Sequence, residues 1–253
     1  MNIDAPHQTQ LPALRTLWQE AFGDTDAFLD AFFSTAFRTD HCCCVTLGNQ
    51  VVAALYWLDC QYNNQLIAYL YAVATTKAFR RQGICHKLIE TTHRQLTSQG
   101  YKGALLVPAT EELFHFYERM GYQTCSRVRE FRCVGMNQNL SLHRINKTEY
   151  ATLRRRLLPS GGVIQENETL DFLQTQTLFY TGPGFVFAAG TENNTLCVTE
   201  LLGDETVAPG IVYALGYSEG HFRTPGNDMP FAMYCPLGES KLPPPTYFGL
   251  ALD

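Results

Sequence analysis

Apolar residues along this chain recur with two different periods, and the alternation between them outlines the elements. Helical spacing predicts helices over Leu11–Phe22 and residues 25–37, with Gly23-Asp24 breaking them. Shorter runs rich in β-branched and aromatic residues predict strands over 41–47 and 51–60, turned by Gly48-Asn49-Gln50, and then a buried strand over 66–74. After a turn at 75–79, Ile84, Leu88, Ile89 and Leu96 return to near-helical spacing, while Lys87, Glu90, Arg94 and Gln95 fill other faces. This helix is expected to end near Gly100. A strand at 104–108, a short helix between Thr110 and Gly121, and a strand near 130–135 complete the first half in the order α-α-β-β-β-α-β-α-β.

The second half reads as a looser echo of the first. Helices are expected over 147–158 and 168–178, with Gly161-Gly162 between them, and strands over 184–189 and 195–202 around the turn Glu192-Asn193-Asn194. A short helix at 207–215 and strands near 221–224, 230–235 and 247–252 are expected to close the sheet. The last of these runs, Phe248-Gly249-Leu250-Ala251-Leu252-Asp253, is too apolar for a frayed tail, so burial is expected.

One junction carries chemistry. Between the apolar strand at 66–74 and the helix after Gly83 stands Arg80-Arg81-Gln82-Gly83-Ile84-Cys85-His86, a glycine turn with polar donors leading into a helix N-terminus. The first turn of a helix leaves backbone N–H groups unpaired and carries partial positive charge, which suits an anion, and Gly83 allows close approach. It is neither a P-loop nor a dinucleotide fingerprint, because the Gly-Lys-Ser/Thr and the Gly-x-Gly-x-x-Gly spacings are both missing. Downstream, Tyr117 lies in Phe116-Tyr117-Glu118-Arg119-Met120-Gly121-Tyr122; by spacing alone core filling is the commoner fate of such a tyrosine.

The strand, the Arg80-x-x-Gly83-x-Cys85 loop, the helix, the next strand and the segment 116–122 together resemble the GCN5-related N-acetyltransferase (GNAT) superfamily. The family loop ends in Gly or Ala where this chain has Cys85. The resemblance implies a mixed α/β fold, with main-chain N–H groups across Arg81, Gln82, Gly83, Ile84, Cys85 and His86, beside Arg80, holding the pyrophosphate of acetyl-CoA. A splayed strand at Val73, Ala74 and Thr75 would hold the pantetheine and thioester, and Tyr117 would protonate the departing thiolate. Over nearly the whole chain, including Pro230-Phe231-Ala232-Met233-Tyr234-Cys235-Pro236-Leu237, the pattern is similar to bacterial tandem-GNAT acetyltransferases distantly related to the enhanced intracellular survival (Eis) proteins. That implies a GNAT domain over 1–137 and a degenerate GNAT-like domain over 138–253 without the pyrophosphate loop. It also makes the terminal carboxylate of Asp253 a candidate proton acceptor, alongside Glu111, Glu112 and His115.

The activity implied is direct acetyl transfer to a primary amine, on a small molecule or a peptide. The rival is a non-catalytic CoA-sensing or protein-binding module on the same scaffold; a longer acyl donor or an aminoacyl-tRNA is a further alternative. A net charge of −5 over 253 residues and a pI near 5.8 argue against nucleic acid, and no basic run suggests a membrane patch. Without a basic, apolar leader the protein is expected in the cytoplasm, and a homodimer is left open. The 9 cysteines show no zinc-type Cys/His spacing, so no metal is expected and they read as reduced thiols, Cys42-Cys43-Cys44 alternating faces along a strand. Cys85 reads first as a small residue in a tight loop; the alternative is a thiol whose pKa is lowered at a helix N-terminus.

Overall fold

The computed structural model describes residues 1–252. In chain order the elements are β1 (Asn2–Asp4), α1 (Leu11–Phe22), α2 (Asp26–Thr35), β2 (Cys42–Leu47), β3 (Gln50–Tyr62), β4 (Gln65–Thr75), α3 (Ile84–Ser98), β5 (Gly103–Leu106) and α4 (Glu111–Glu118). There follow β6 (Gln123–Val134), β7 (His143–Ile145), α5 (Lys147–Leu157), β8 (Ile164–Gln165), α6 (Glu168–Gln176) and β9 (Leu178–Gly182). The series ends with β10 (Phe185–Glu192), β11 (Thr195–Gly203), α7 (Ala208–Ala214), β12 (Glu219–Pro225) and β13 (Met229–Pro236). No helix among the described residues is long and apolar enough to cross a membrane.

The chain gathers into two compact units. The first comprises Met1–Gln123, Asn167–Phe172 and Met233–Pro244. Its sheet runs β1-β2-β3-β4-β5, antiparallel except for the parallel β4–β5 pair, and Met233–Pro236 of β13 pairs antiparallel with β5 at the end. Both faces are covered. Cys43, Val45, Leu55 and Trp57 pack in one cluster with Leu88, Ile89 and Leu96 of α3, while Tyr56 and Tyr71 meet Trp18 of α1 and Phe32 of α2 on the other face. Cys42, Cys43 and Cys44 are therefore all buried although they alternate faces, and all nine cysteines are free. Local signals set the helix ends: Gly23 closes α1 in the left-handed region at φ 77°, and the Thr25 hydroxyl accepts the Phe28 N–H to start α2.

The second unit comprises Thr124–Glu166, Leu173–Ala232 and the chain from Pro245 onward. Its strands run β6-β12-β11-β10-β9-β7, antiparallel except for the parallel β11–β12 pair. Phe185, Phe187, Leu201, Ile211, Val212 and Phe222 form its core. Inside it, the fully buried Arg154 and Glu200 make an ion pair through Arg154 Nε and Nη2 at 2.6 and 3.0 Å, and Glu200 also accepts the hydroxyls of Tyr150 and Tyr247 at 3.2 and 2.9 Å.

Three expectations need correction. β6 begins at Gln123, not near 130, because its early inward positions are Ser126 and Val128 and carry too little hydrophobicity to announce a strand. The run at 230–235 does not close a second-unit sheet alone: Met233–Pro236 pair with β5 in the first unit. Residues 247–252 are buried as expected but form no strand; a single bridge joins Tyr247 to Gly162, the Ala251 N–H turns back to the Gly249 carbonyl, and side chains hold Phe248 and Leu250. The Phe248 N–H donates to Ser126 Oγ at 2.9 Å, and Gln165 grips Leu250 by donating to its carbonyl and accepting its N–H. Gly249 is required here, since a Cβ would collide with the Glu200 carboxylate and the Tyr247 ring.

Candidate functional site

β4 is interrupted where the chemistry was expected. Its pairing with β3 passes from Tyr71↔Tyr56 to Ala74↔Ala54, so Ala72 and Val73 together oppose Leu55 as a β-bulge, and Ala72 takes the left-handed φ of 47°. A non-glycine residue in that region is strained by about 1–2 kcal/mol. On its other edge β4 pairs with β5 only at Ala68↔Ala104 and Tyr69↔Leu105, and β5 stops at Leu106. From Tyr71 onward the two parallel strands have therefore parted. The Thr76 N–H donates toward β3, to Val52 O at 2.9 Å, so alternation turns the backbone groups of Thr75 to the open edge. Consistent with this, the Thr75 carbonyl is free to accept Arg80 Nε at 2.9 Å. The Thr75 and Thr76 hydroxyls are buried there without a hydrogen-bond partner. Thr76 did not figure among the expected site residues; its signal is the hydroxyl pair at the foot of the splay.

The loop that follows is built around two left-handed residues, Arg81 at φ 63° and Gly83 at φ 74°. Gly83 is the N-cap of α3, and the first helical bond is Lys87 N–H to Gly83 O at 3.1 Å. The N–H groups of Arg81, Gln82, Gly83, Ile84, Cys85 and His86 consequently have no partner among the described residues. Six consecutive unpaired amides at a helix N-terminus make an electropositive stretch suited to an anion carrying several oxygens. The side chains of Arg81, Gln82 and His86 are exposed, Ile84 is buried, and Gln82 ties back to Ala78 O at 3.2 Å. Arg80 latches the loop to the end of β4.

α4 brings Tyr117 to the same place. It is 6% exposed and packs with Ile84 and Leu88 of α3, with Cys85 against the same cluster, and its hydroxyl has no hydrogen-bond partner among the described residues. Burial first, and then the neighbouring Cys85 thiol, push this phenol well above the usual tyrosine range. It stays protonated at neutral pH. Cys85 does not follow the alternative reading from its helix position, because burial outweighs the helix field and pushes its thiol up to about 11. Of the candidate bases, Glu111 and Glu112 are exposed in the first turn of α4, and exposed His115 pairs with Glu118 at 3.1 Å. Asp253 lies outside the described residues.

Behind Tyr117, Tyr122 meets His93 of α3 through a 2.7 Å contact between its hydroxyl and Nε2, and burial lowers His93 to about 4. The unfolded imidazole takes up its proton near pH 6.5, so the His93 contribution is complete above that pH and is lost as pH falls from about 6.5 to about 4. Urea midpoints at pH 7 and pH 4.5 should differ less for His93→Gln than for the wild type; an equal difference would place the acid sensitivity elsewhere.

The second unit has its own parallel pair leading through a helix, β11-α7-β12, but there the amides are taken. Thr206 N–H goes to Asp204 Oδ1 at 2.9 Å, Ala208 N–H to the Glu205 carbonyl and Gly210 N–H to Gln138 Oε1 at 3.1 Å, while residue 209 is proline. Among the described residues these partners leave no comparable row of consecutive free amides at the start of α7.

A family model described as an acetyltransferase (GNAT) domain matches residues 2–125. No curated protein matches the sequence. Among solved structures, the fold is shared with a GCN5-related N-acetyltransferase from Kribbella flavida at 16% identity and a TM-score of 0.71, over 92% of this chain and 70% of that one. It is likewise shared with Eis1 from Mycobacterium abscessus at 12% identity and a TM-score of 0.69, over 93% and 74%. A putative acetyltransferase from Pyrococcus horikoshii aligns over 98% of this chain and 93% of its own, at 11% identity and a TM-score of 0.62. At such identities the likeness is one of fold.

Proposed function

We propose, from the premise that this chain carries a GNAT acetyltransferase domain over residues 2–125, that it transfers the acetyl group of acetyl-CoA directly to a primary amine. The observation that carries the reading is the row of six unpartnered amides across Arg81, Gln82, Gly83, Ile84, Cys85 and His86, beside a strand edge opened at Val73, Ala74 and Thr75. Acetyl-CoA supplies a thioester carbonyl open to an amine and a thiolate that must leave. The amide row holds the pyrophosphate, with the α3 dipole adding to its field. The Val73 backbone, in the bulge of β4, orients the pantetheine arm, and its N–H donates to the carbonyl oxygen as charge develops there. Tyr117, neutral and without a competing partner, delivers its proton to the departing sulfur. Arg80 acts indirectly, by keeping the loop and the end of β4 together. The occupied amides at the start of α7 favour a single cofactor site, in the first unit.

Calorimetric titration with acetyl-CoA tests this. The wild-type chain should bind one equivalent, and Gly83→Asp should weaken binding by about 100-fold or more, since it sets a carboxylate against a diphosphate and strains a residue at φ 74°. A folded wild-type protein that does not bind would overturn the proposal. Binding without thiol release against any amine would favour the CoA-sensing module instead.

A further inference from the structure

At the other end of β3 and β4, within the first unit, three distant stretches of chain converge on a second polar site. Asp59 pairs with Ala68, which lies six residues from Ala74, or about 20 Å along the strand. Beside Asp59 stand His41, from the helical turn Thr39–His41 that precedes β2, and Glu168, the first residue of α6. His41 Nδ1 and one carboxylate oxygen each from Asp59 and Glu168 all lie within 4.8 Å of one another.

The arrangement is held from behind. The His41 ring stacks on Trp57 at 5.3 Å, which aims Nδ1 toward Asp59 Oδ1, 3.9 Å away. Tyr101 donates its hydroxyl to Asp59 Oδ1 at 2.5 Å and receives Trp57 Nε1 at 3.3 Å, while Glu168 Oε1 accepts the Asp59 backbone N–H at 2.8 Å. Each carboxylate is thus oriented through one oxygen and keeps the other without a partner among the described residues. Arg38 lies near enough to feel both acids, yet its guanidinium is engaged by Asp40 at 3.2 and 2.8 Å, so those two charges offset each other.

What the cluster lacks is a partner for the imidazole. His41 is 7% exposed and its buried Nδ1 has no hydrogen bond. A buried polar atom left in that state is destabilising until something pairs with it. The gap of 3.9 Å is too long for a hydrogen bond, but ligand atoms at 2.0–2.2 Å from a tetrahedral ion stand about 3.3–3.6 Å apart, one small side-chain adjustment away. One imidazole nitrogen with two carboxylates is a donor set for zinc-class ions; calcium would ask for six to eight oxygens.

We propose that His41, Asp59 and Glu168 bind a single divalent transition cation of the zinc class, with water completing the coordination. The ion fastens the start of α6 to β3 and to the turn before β2, remote from the amide row, and it stabilises the first unit without taking part in acetyl transfer. The hydrogen bonds from Tyr101 and from the Asp59 N–H orient the two carboxylates from the outer shell.

The test uses the full chain, stripped with a chelator and titrated with Zn²⁺ by calorimetry and with Co²⁺ by visible absorption. The expected result is one equivalent bound, a Co²⁺ spectrum of nitrogen and oxygen ligands, and a melting temperature raised by several degrees at saturating Zn²⁺. Glu168→Gln retains the acceptor for the Asp59 N–H, so it should fold, and should weaken Zn²⁺ binding at least 10-fold; His41→Gln should do the same. A thiolate charge-transfer band would put the metal on the cysteines and overturn the assignment. So would binding unchanged in both variants, or no binding by the folded wild-type chain.

Discussion

Replacing Tyr117 by phenylalanine should lower kcat for acetyl transfer by about 10²–10⁴-fold, the range expected when a positioned general acid is removed. The KM for acetyl-CoA should hardly move, because in the proposed reaction the phenol meets the sulfur only as the bond breaks and contributes little to ground-state binding. Stability should barely change either. The hydroxyl has no partner among the described residues, so its removal leaves no group unsatisfied, and the ring keeps its edge contacts with Phe116 and Tyr122 at 5.2 and 5.7 Å. Steady-state kinetics with any accepted amine, paired with a thermal melt, separates the two readings of this residue. An unchanged kcat in a folded variant would return Tyr117 to simple core packing.

The second large effect belongs to stability. Arg154→Met should destabilise the second unit by about 3–5 kcal/mol, because it strands the Glu200 carboxylate in a site of zero exposure. Desolvation works against the Arg154 charge, but Glu200 outweighs it and holds the guanidinium more firmly protonated than an ordinary arginine. Two of the groups around the pair, Gln165 and Tyr247, also fasten the closing segment 247–252, so its packing should loosen with the pair. Hydrogen exchange at the amides of Phe248 and Leu250 would report that loosening alongside the urea midpoint. Arg154→Met combined with Glu200→Met should cost less than the sum of the single changes, since the double variant leaves no buried charge. Additive losses would show that the pair is not coupled.

The junction from β4 to α3 was legible because its chemistry is local. A glycine before an amphipathic helix leaves amides free wherever the rest of the chain goes, and Gly83 with the unpaired N–H groups of residues 81–86 follows from that alone. The early helices and the β2–β3 hairpin were equally visible, their caps and turns lying within a few residues of the elements they bound. β6 was not, since inward positions filled by Ser126 and Val128 look like a polar loop until both faces of the sheet are known.

For this protein, sequence by itself determined the helices, the longer strands of the first half, the glycine turn before α3 and the family resemblance, all of which depend on neighbours along the chain; the short strands β1, β7, β8 and β9 escaped it. Tertiary structure decided the rest. The position of the Ala72 bulge, the parting of β4 from β5 and the transfer of Met233–Pro236 to β5 are matters of strand pairing across long separations. Burial decided between the two readings of Cys85, because desolvation depends on what packs around a group and not on its place in a helix. The same holds for His41, Asp59 and Glu168: residues spread from 41 to 168 carry no common spacing, and only folding brings their ligand atoms within 4.8 Å.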